Sequence, residues 1–144
     1  MIRKINISDK EFYIKSVKDF YSSEAVLHSI PETNIIKTFD ELMNSENYAQ
    51  CYIFEQDGER AGYALLAKTY SQEAGGTVLW IDEIYILPEF RSKGIGSYFF
   101  KFLKENSNTA RLRLEFCPSN KKAIEIYKRQ GFVPLAYEQM IYEE

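Results

Sequence analysis

Val78-Leu79-Trp80-Ile81-Asp82-Glu83-Ile84-Tyr85-Ile86-Leu87-Pro88-Glu89-Phe90-Arg91-Ser92-Lys93-Gly94-Ile95-Gly96 runs from a block of strand formers, through a proline and a short polar loop, to a pair of glycines. Val78 to Leu87 is apolar on both faces of an extended chain, which predicts a strand inside a sheet covered on both sides. Pro88 stops it. The loop to Lys93 feeds a helix predicted from Gly94, with Ile95, Phe99 and Phe102 along one stripe. Arg91 to Gly96 has the make-up of an anion cradle: glycines let the backbone approach a phosphate, and the free N–H groups of a helix's first turn bind it. Two rival phosphate loops are excluded by the letters. A P-loop needs Gly-Lys-Ser/Thr, which the sequence lacks, and a dinucleotide fingerprint needs a third glycine where Phe99 stands. Taken alone, the stretch suits a glycine-eased entry into a helix equally well.

Working outward, Arg111 to Phe116 alternates as a strand, and Asn120 or Ser119 caps a helix that ends at Gly131. Val133 to Ile141 alternates again and predicts a final strand. Upstream, Ile2 to Ile7 reads as a half-buried strand. Ser8-Asp9-Lys10-Glu11 has capping-box spacing for a helix reaching about Tyr21, with Phe12, Val17, Phe20 and Tyr21 as its apolar positions. A second helix runs from after Pro31 to near Asn44, with Ile35, Ile36, Phe39 and Leu42 inward. Tyr48 to Gln56 and Arg60 to Thr69 are strands joined by Asp57-Gly58, a hairpin turn, and Gly75-Gly76 turns into the long strand. The predicted order is β-α-α-β-β-β-α-β-α-β, an α/β fold with a mixed sheet and helices on both faces. No repeat, low-complexity tract or linker divides it, so residues 1–144 read as a single domain.

Composition narrows the function classes. The chain has 144 residues, 45% hydrophobic and 27% charged, with eleven Tyr, ten Phe and one Trp, the balance of an ordinary globular protein. The net charge is −3 and the eighteen Lys and Arg are spread along the chain, which predicts no nucleic-acid partner. Cys51, Cys117 and His28 are too few for a structural zinc site, so no metal is expected. The start lacks the apolar stretch of a secretion signal and no run has membrane-span length, so a cytoplasmic protein with reduced thiols is expected and no membrane partner.

The stretch from Val78 to Gly96 resembles the coenzyme-binding motif of the GNAT superfamily of N-acetyltransferases, a strand and loop followed by Arg/Gln-x-x-Gly-x-Gly/Ala opening a helix. Asn120, Ala123, Tyr127, Gly131 and Phe132 match the superfamily's second motif, Asn-x-x-Ala-x-x-x-Tyr followed by Gly-Phe. The resemblance implies acetyl-CoA as cosubstrate. It assigns the pantetheine arm to the main chain of Ile84, Tyr85 and Ile86, and the pyrophosphate to Arg91, Ser92, Lys93, Gly94, Ile95 and Gly96 with Ser97 nearby. It also places Asn120 against the coenzyme where two strands splay, and Tyr127 beside the sulfur. Read from spacing alone, Asn120 is equally a helix cap and Tyr127 a core residue.

An alkyl amine is only about one part in a thousand neutral at pH 7, so acetylation needs a base for the ammonium and an acid for the leaving thiolate. Asp82, Glu83 and Glu115 compete as base, and Tyr127 can serve as acid. In a regular strand Asp82 and Glu83 face opposite ways, so only one looks into a cleft, although the superfamily often carries a bulge here. Ile81 to Gly96, with Phe20 to Ala25, is similar to diamine acetyltransferases, where the residue matching Asp82 lies on the acceptor side. Glu115 matches instead the base of ribosomal-protein alanine acetyltransferases. The expected acceptor is a small cationic amine such as a polyamine, with Tyr21, Glu24 and His28 as candidate contacts. The alternatives are a protein N-terminal acetyltransferase, a non-catalytic acetyl-CoA sensor and a plain interaction domain. An exposed edge strand leaves a homodimer open.

Overall fold

Each predicted hydrophobic stripe has to be covered, and a mixed sheet between two helical layers does so. The computed structural model describes all residues, Met1–Glu144. The strands are β1 (Ile2–Lys4), β2 (Ala49–Gln56), β3 (Glu59–Ser71), β4 (Gly76–Ile86) and β5 (Arg111–Leu114). The helices are α1 (Lys10–Tyr21), α2 (Glu32–Asn44), α3 (Ile95–Asn106) and α4 (Lys121–Arg129). The strands lie in the order β1-β2-β3-β4-β5. All pairs are antiparallel except β4 with β5, which the α3 crossover makes parallel. Asp57 and Gly58 both have positive φ, as a two-residue type I′ turn requires.

Strand alternation divides the core into two layers. On one face, Tyr13, Val17 and Phe20 of α1 and Ile35, Phe39 and Leu42 of α2 pack on Cys51, Ile53, Tyr63, Leu65 and Tyr85. On the other, Phe99, Phe100 and Leu103 of α3 pack on Phe54, Ala64, Leu66, Leu79 and Ile81, with Ile126 and Tyr127 of α4 alongside. Tyr13 meets Phe39 and Tyr63 at ring-centroid distances of 5.9 and 5.6 Å, and Phe54 meets Phe99 at 5.1 Å. Such aromatic pairs each contribute about 1 kcal/mol beyond their burial.

Three details differ from the sequence reading. The strand predicted from Ile2 to Ile7 ends at Lys4, because the chain turns into a short 3-10 segment at Ile7–Asp9. The capping box is formed by Asn6 and Asp9, not Ser8 and Glu11, and Asp9 has a larger task. Fully buried, it accepts from Arg3 at 2.8 and 2.9 Å, from Arg60 at 2.7 Å and from the Asn6 N–H at 2.8 Å, joining β1, the turn and β3. The strand predicted from Val133 to Ile141 does not form. β5 is the edge strand and only four residues long, and Pro134 has no N–H to give a ladder. The segment is held by side chains instead: Tyr137 donates to Glu73 and Gln139 to Glu115, each at 2.7 Å.

Candidate active site

The register between β3 and β4 slips by one residue at a single place. Leu65 pairs with Glu83 and Leu66 with Ile81, so Asp82 is the extra residue of a β-bulge. Unbroken alternation would put Glu83 on the same face as Ile81, under α3. The bulge turns it to the α1 and α2 face, where it is 7% exposed, while Asp82 stays exposed. Gly62 makes the adjoining approach possible: a Cβ there would lie 2.1 Å from the Tyr85 carbonyl oxygen.

A buried carboxylate needs donors for both oxygens. Tyr21 Oη donates to Glu83 Oε2 and Tyr63 Oη to Glu83 Oε1, each at 2.7 Å. Burial raises the proton affinity of Glu83, and the hydrogen bonds from Tyr63 and Tyr21 oppose that rise. Asp82 is pushed up to about 6, first by desolvation in the crowded strand wall and then by the negative charges of Glu83 and Glu115. Solvent still reaches it. Asp82 is therefore an accessible carboxylate that titrates just below neutrality, backed by a second carboxylate held in place by two hydroxyls.

The β4–β5 ladder ends at Ile81 paired with Leu114, whereas β4 runs on to Ile86. The two strands therefore part beyond Ile81, and the Ile84, Tyr85 and Ile86 main chain has no strand beside it on that side. Arg91 Nε donates to the Ile86 carbonyl at 2.8 Å, which binds the cradle loop to the strand end. Gly94 takes φ +80 as the N-cap of α3, and Ser92 takes φ +63. No N–H from Ser92 to Ser97 has an acceptor within the protein, and no side chain caps α3. Successive N–H groups exposed at a helix start form an anion-binding concavity.

Asn120 caps α4, its side chain accepting from the Ala123 N–H at 3.3 Å. Tyr127 is half-buried among Phe100, Phe116 and Phe132, at centroid distances of 6.0 to 6.3 Å. Its hydroxyl has no partner within the protein, and burial raises its pKa. Tyr127, Leu114, Glu115 and Phe116 line a trough of about 680 Å³ along the open edge of β5. Asp82, Glu83 and the cradle lie outside that trough. Glu24 and His28 are exposed in the loop between α1 and α2. That loop is tied to the end of β5 by Cys117, whose thiol donates to the Ala25 carbonyl at 3.3 Å.

Sequence reasoning missed Tyr63 altogether and saw Tyr21 as an apolar helix position and a candidate acceptor contact, not as a partner of Glu83. Tyr63 reads as an ordinary core tyrosine of β3, and its link to Glu83 depends on the bulge. The bulge leaves no sign in composition or spacing beyond two adjacent carboxylates in an apolar strand.

The sequence profile of the acetyltransferase (GNAT) family matches residues 13–132. A thialysine N-epsilon-acetyltransferase of Mus musculus is 25% identical over 146 aligned residues, covering 90% of this chain and 82% of that protein. A possible acetyltransferase from Clostridium difficile 630 superposes with a TM-score of 0.85 at 21% identity, covering 100% of this chain and 97% of that one. The aminoglycoside N-acetyltransferase AAC(6')-Iy in complex with CoA superposes at 0.77 with 18% identity, covering 100% and 93%. The two structural likenesses establish the fold.

Proposed function

The chain belongs to the acetyltransferase (GNAT) family, whose members use acetyl-CoA, and from that membership we propose that it acetylates a small cationic primary amine such as a polyamine. The observation that carries this reading is the splay of β4 from β5. It leaves a free strand edge at Ile84 to Ile86, beginning two residues beyond Asp82, and the chain runs on from it to the unpaired N–H groups of Ser92 to Ser97.

On this reading the strand edge takes the pantetheine arm and the cradle takes the pyrophosphate. Both use main-chain groups, so side-chain identity matters there chiefly where a Cβ would intrude. Asp82 accepts a proton from the ammonium, directly or through water. The freed nitrogen lone pair attacks the thioester carbonyl, an N–C bond forms, and collapse breaks the C–S bond. Tyr127 gives its proton to the departing sulfur and is restored by the second proton the nitrogen loses. The products are an acetamide, the free coenzyme thiol and one proton released from Asp82.

A base titrating near 6 is mostly ionised at neutral pH and still takes up a proton more readily than an ordinary aspartate. Asp82 is favoured over Glu115, because one oxygen of Glu115 already accepts from Gln139. The acidic pair Asp82 and Glu83 and the net charge of −3 favour a cationic acceptor. The similarity to the thialysine enzyme supports the same class.

The test is an acetylation screen over polyamines, aminoglycosides, amino-acid derivatives and peptide N-termini, read by release of free coenzyme thiol. Preferred turnover of a polyamine or similar small cation is expected. Turnover of a peptide N-terminus alone would overturn the acceptor assignment. Tight acetyl-CoA binding with no turnover of any amine would make the protein a sensor.

A further inference from the structure

We propose that Tyr21 is a positioning residue: with Tyr63 it fixes Glu83 as an anion behind Asp82, and so ties the candidate base to the loop that follows α1. This deepens the reading of Asp82 as base and rests on it.

The geometry carries the inference. Tyr21 is the last residue of α1, and the chain leaves the helix there for the loop 22–31 that holds Glu24 and His28. Its ring packs edge-on against Phe20 at 5.2 Å, and its hydroxyl spans to β4. Tyr63 approaches the same carboxylate from β3. A two-point hold leaves Glu83 no free rotamer. It also favours the charged form, because hydroxyl donors stabilise a carboxylate and would find less in a neutral acid. The loop is held at its other side by the contact of Cys117 with Ala25, so movement of loop 22–31 acts on Glu83 through Tyr21.

The groups facing the pair are Tyr13 and Tyr21 from α1, Cys51 from β2, Tyr63 from β3 and Glu115 just beyond β5. No cation is among them. The only donors that oppose protonation of Glu83 are the two hydroxyls. Removing one lets Glu83 take up a proton more readily, and a neutral Glu83 no longer opposes ionisation of Asp82. The two carboxylates titrate as a coupled pair, so the effect appears in the acid limb of the rate profile.

The experiment compares the pH dependence of kcat/KM for wild type, Tyr21→Phe and Glu83→Gln, with the best amine from the screen and with acetyl-CoA affinity and thermal midpoint measured alongside. Phenylalanine keeps the ring against Phe20, and glutamine keeps the shape of Glu83 without its charge. Both variants are expected to bind acetyl-CoA as wild type does. Both should lose about tenfold in plateau rate, because the base is weaker, and move the acid limb to lower pH. An acid limb unmoved in folded Tyr21→Phe would overturn the positioning role, whatever the rate. An unmoved limb in Glu83→Gln would remove its basis. Failure of the underlying reading looks different: wild type would release no coenzyme thiol with any amine, or Asp82→Asn would match wild type.

Discussion

Tyr63 and Glu83 stand diagonally across β3 and β4, two residues apart in register, and their hydroxyl and carboxylate meet at 2.7 Å on the face covered by α1 and α2. Diagonal neighbours on one face of a sheet lie roughly 7–8 Å apart at their Cα atoms, a gap that two long side chains close. They share that face only because Asp82 is looped out between Ile81 and Glu83. One inserted residue therefore buries one carboxylate between two tyrosine hydroxyls and leaves its neighbour exposed.

The pH profile tests that division directly. A base must be deprotonated to act, so kcat/KM should rise with pH and level off above about pH 6, where Asp82 loses its proton. Asp82→Asn should abolish this limb and lower kcat/KM by roughly 10²-fold or more. A limb that persists in Asp82→Asn would move the base elsewhere.

Gly94→Val should abolish most of the rise in thermal midpoint that acetyl-CoA produces in wild type. A Cβ at Gly94 meets nothing within 4 Å in the protein, so the substitution creates no internal clash. It does strain a left-handed backbone by about 1–2 kcal/mol and places methyl groups over the N–H cradle. Thermal melts with and without acetyl-CoA read both effects. An undiminished shift in the folded variant would put the coenzyme elsewhere.

Tyr127→Phe should lower kcat by roughly 10²–10⁴-fold while leaving the dissociation constant of acetyl-CoA nearly unchanged. The ring contacts with Phe100, Phe116 and Phe132 survive the change, so the variant isolates the hydroxyl. Equal single-turnover rates would leave Tyr127 a packing residue.

Acid stability should depend on Asp9. Burial alone would raise its pKa, but hydrogen bonds from Arg3, Asn6 and Arg60 outweigh that and hold it at about 2. A depressed carboxylate stabilises the fold above its unfolded value, near 3.9, and loses that contribution as pH falls through the folded value. Urea midpoints should therefore drop between about pH 4 and pH 2, by an amount worth about 2 kcal/mol from this group. Asp9→Asn should cost stability at pH 7, because Arg3 keeps only Glu55 and the Lys4 carbonyl and Arg60 only the oxygens of Ser8, and flatten that drop. A steep drop unchanged in Asp9→Asn would assign it to other carboxylates.

The strand–loop–helix at Val78 to Gly96, the Asp57-Gly58 hairpin, the helix after Pro31 and the Asn120 cap were all legible from the amino acids. Each rests on interactions within a few residues: a proline that cannot continue a ladder, a glycine at positive φ, a side chain that bonds its own helix start. Periodicity likewise announced Ile35, Phe39 and Leu42 as the inward residues of α2, because the helical repeat acts along one element. In α3 it named Phe99, while the other two buried positions are Phe100 and Leu103 and the predicted Ile95 and Phe102 are only partly buried.

Tertiary structure decided what depends on a partner strand. Alternation from Val133 to Ile141 suits a strand, but a strand exists only against a matching edge, and β5 presents four residues. The capping partner of the first turn went to Asn6 because Asp9 is held by Arg3 and Arg60, the latter 51 residues away. Above all, alternation within β4 could not say which of Asp82 and Glu83 turns inward, since a bulge is a mismatch between two strands. The amino acids alone show two adjacent carboxylates in a strand that leads to a glycine loop opening a helix. Pairing with β3 decided that Glu83 is the buried one, held by two tyrosines, and Asp82 the exposed one, because only the ladder fixes the face on which each residue emerges.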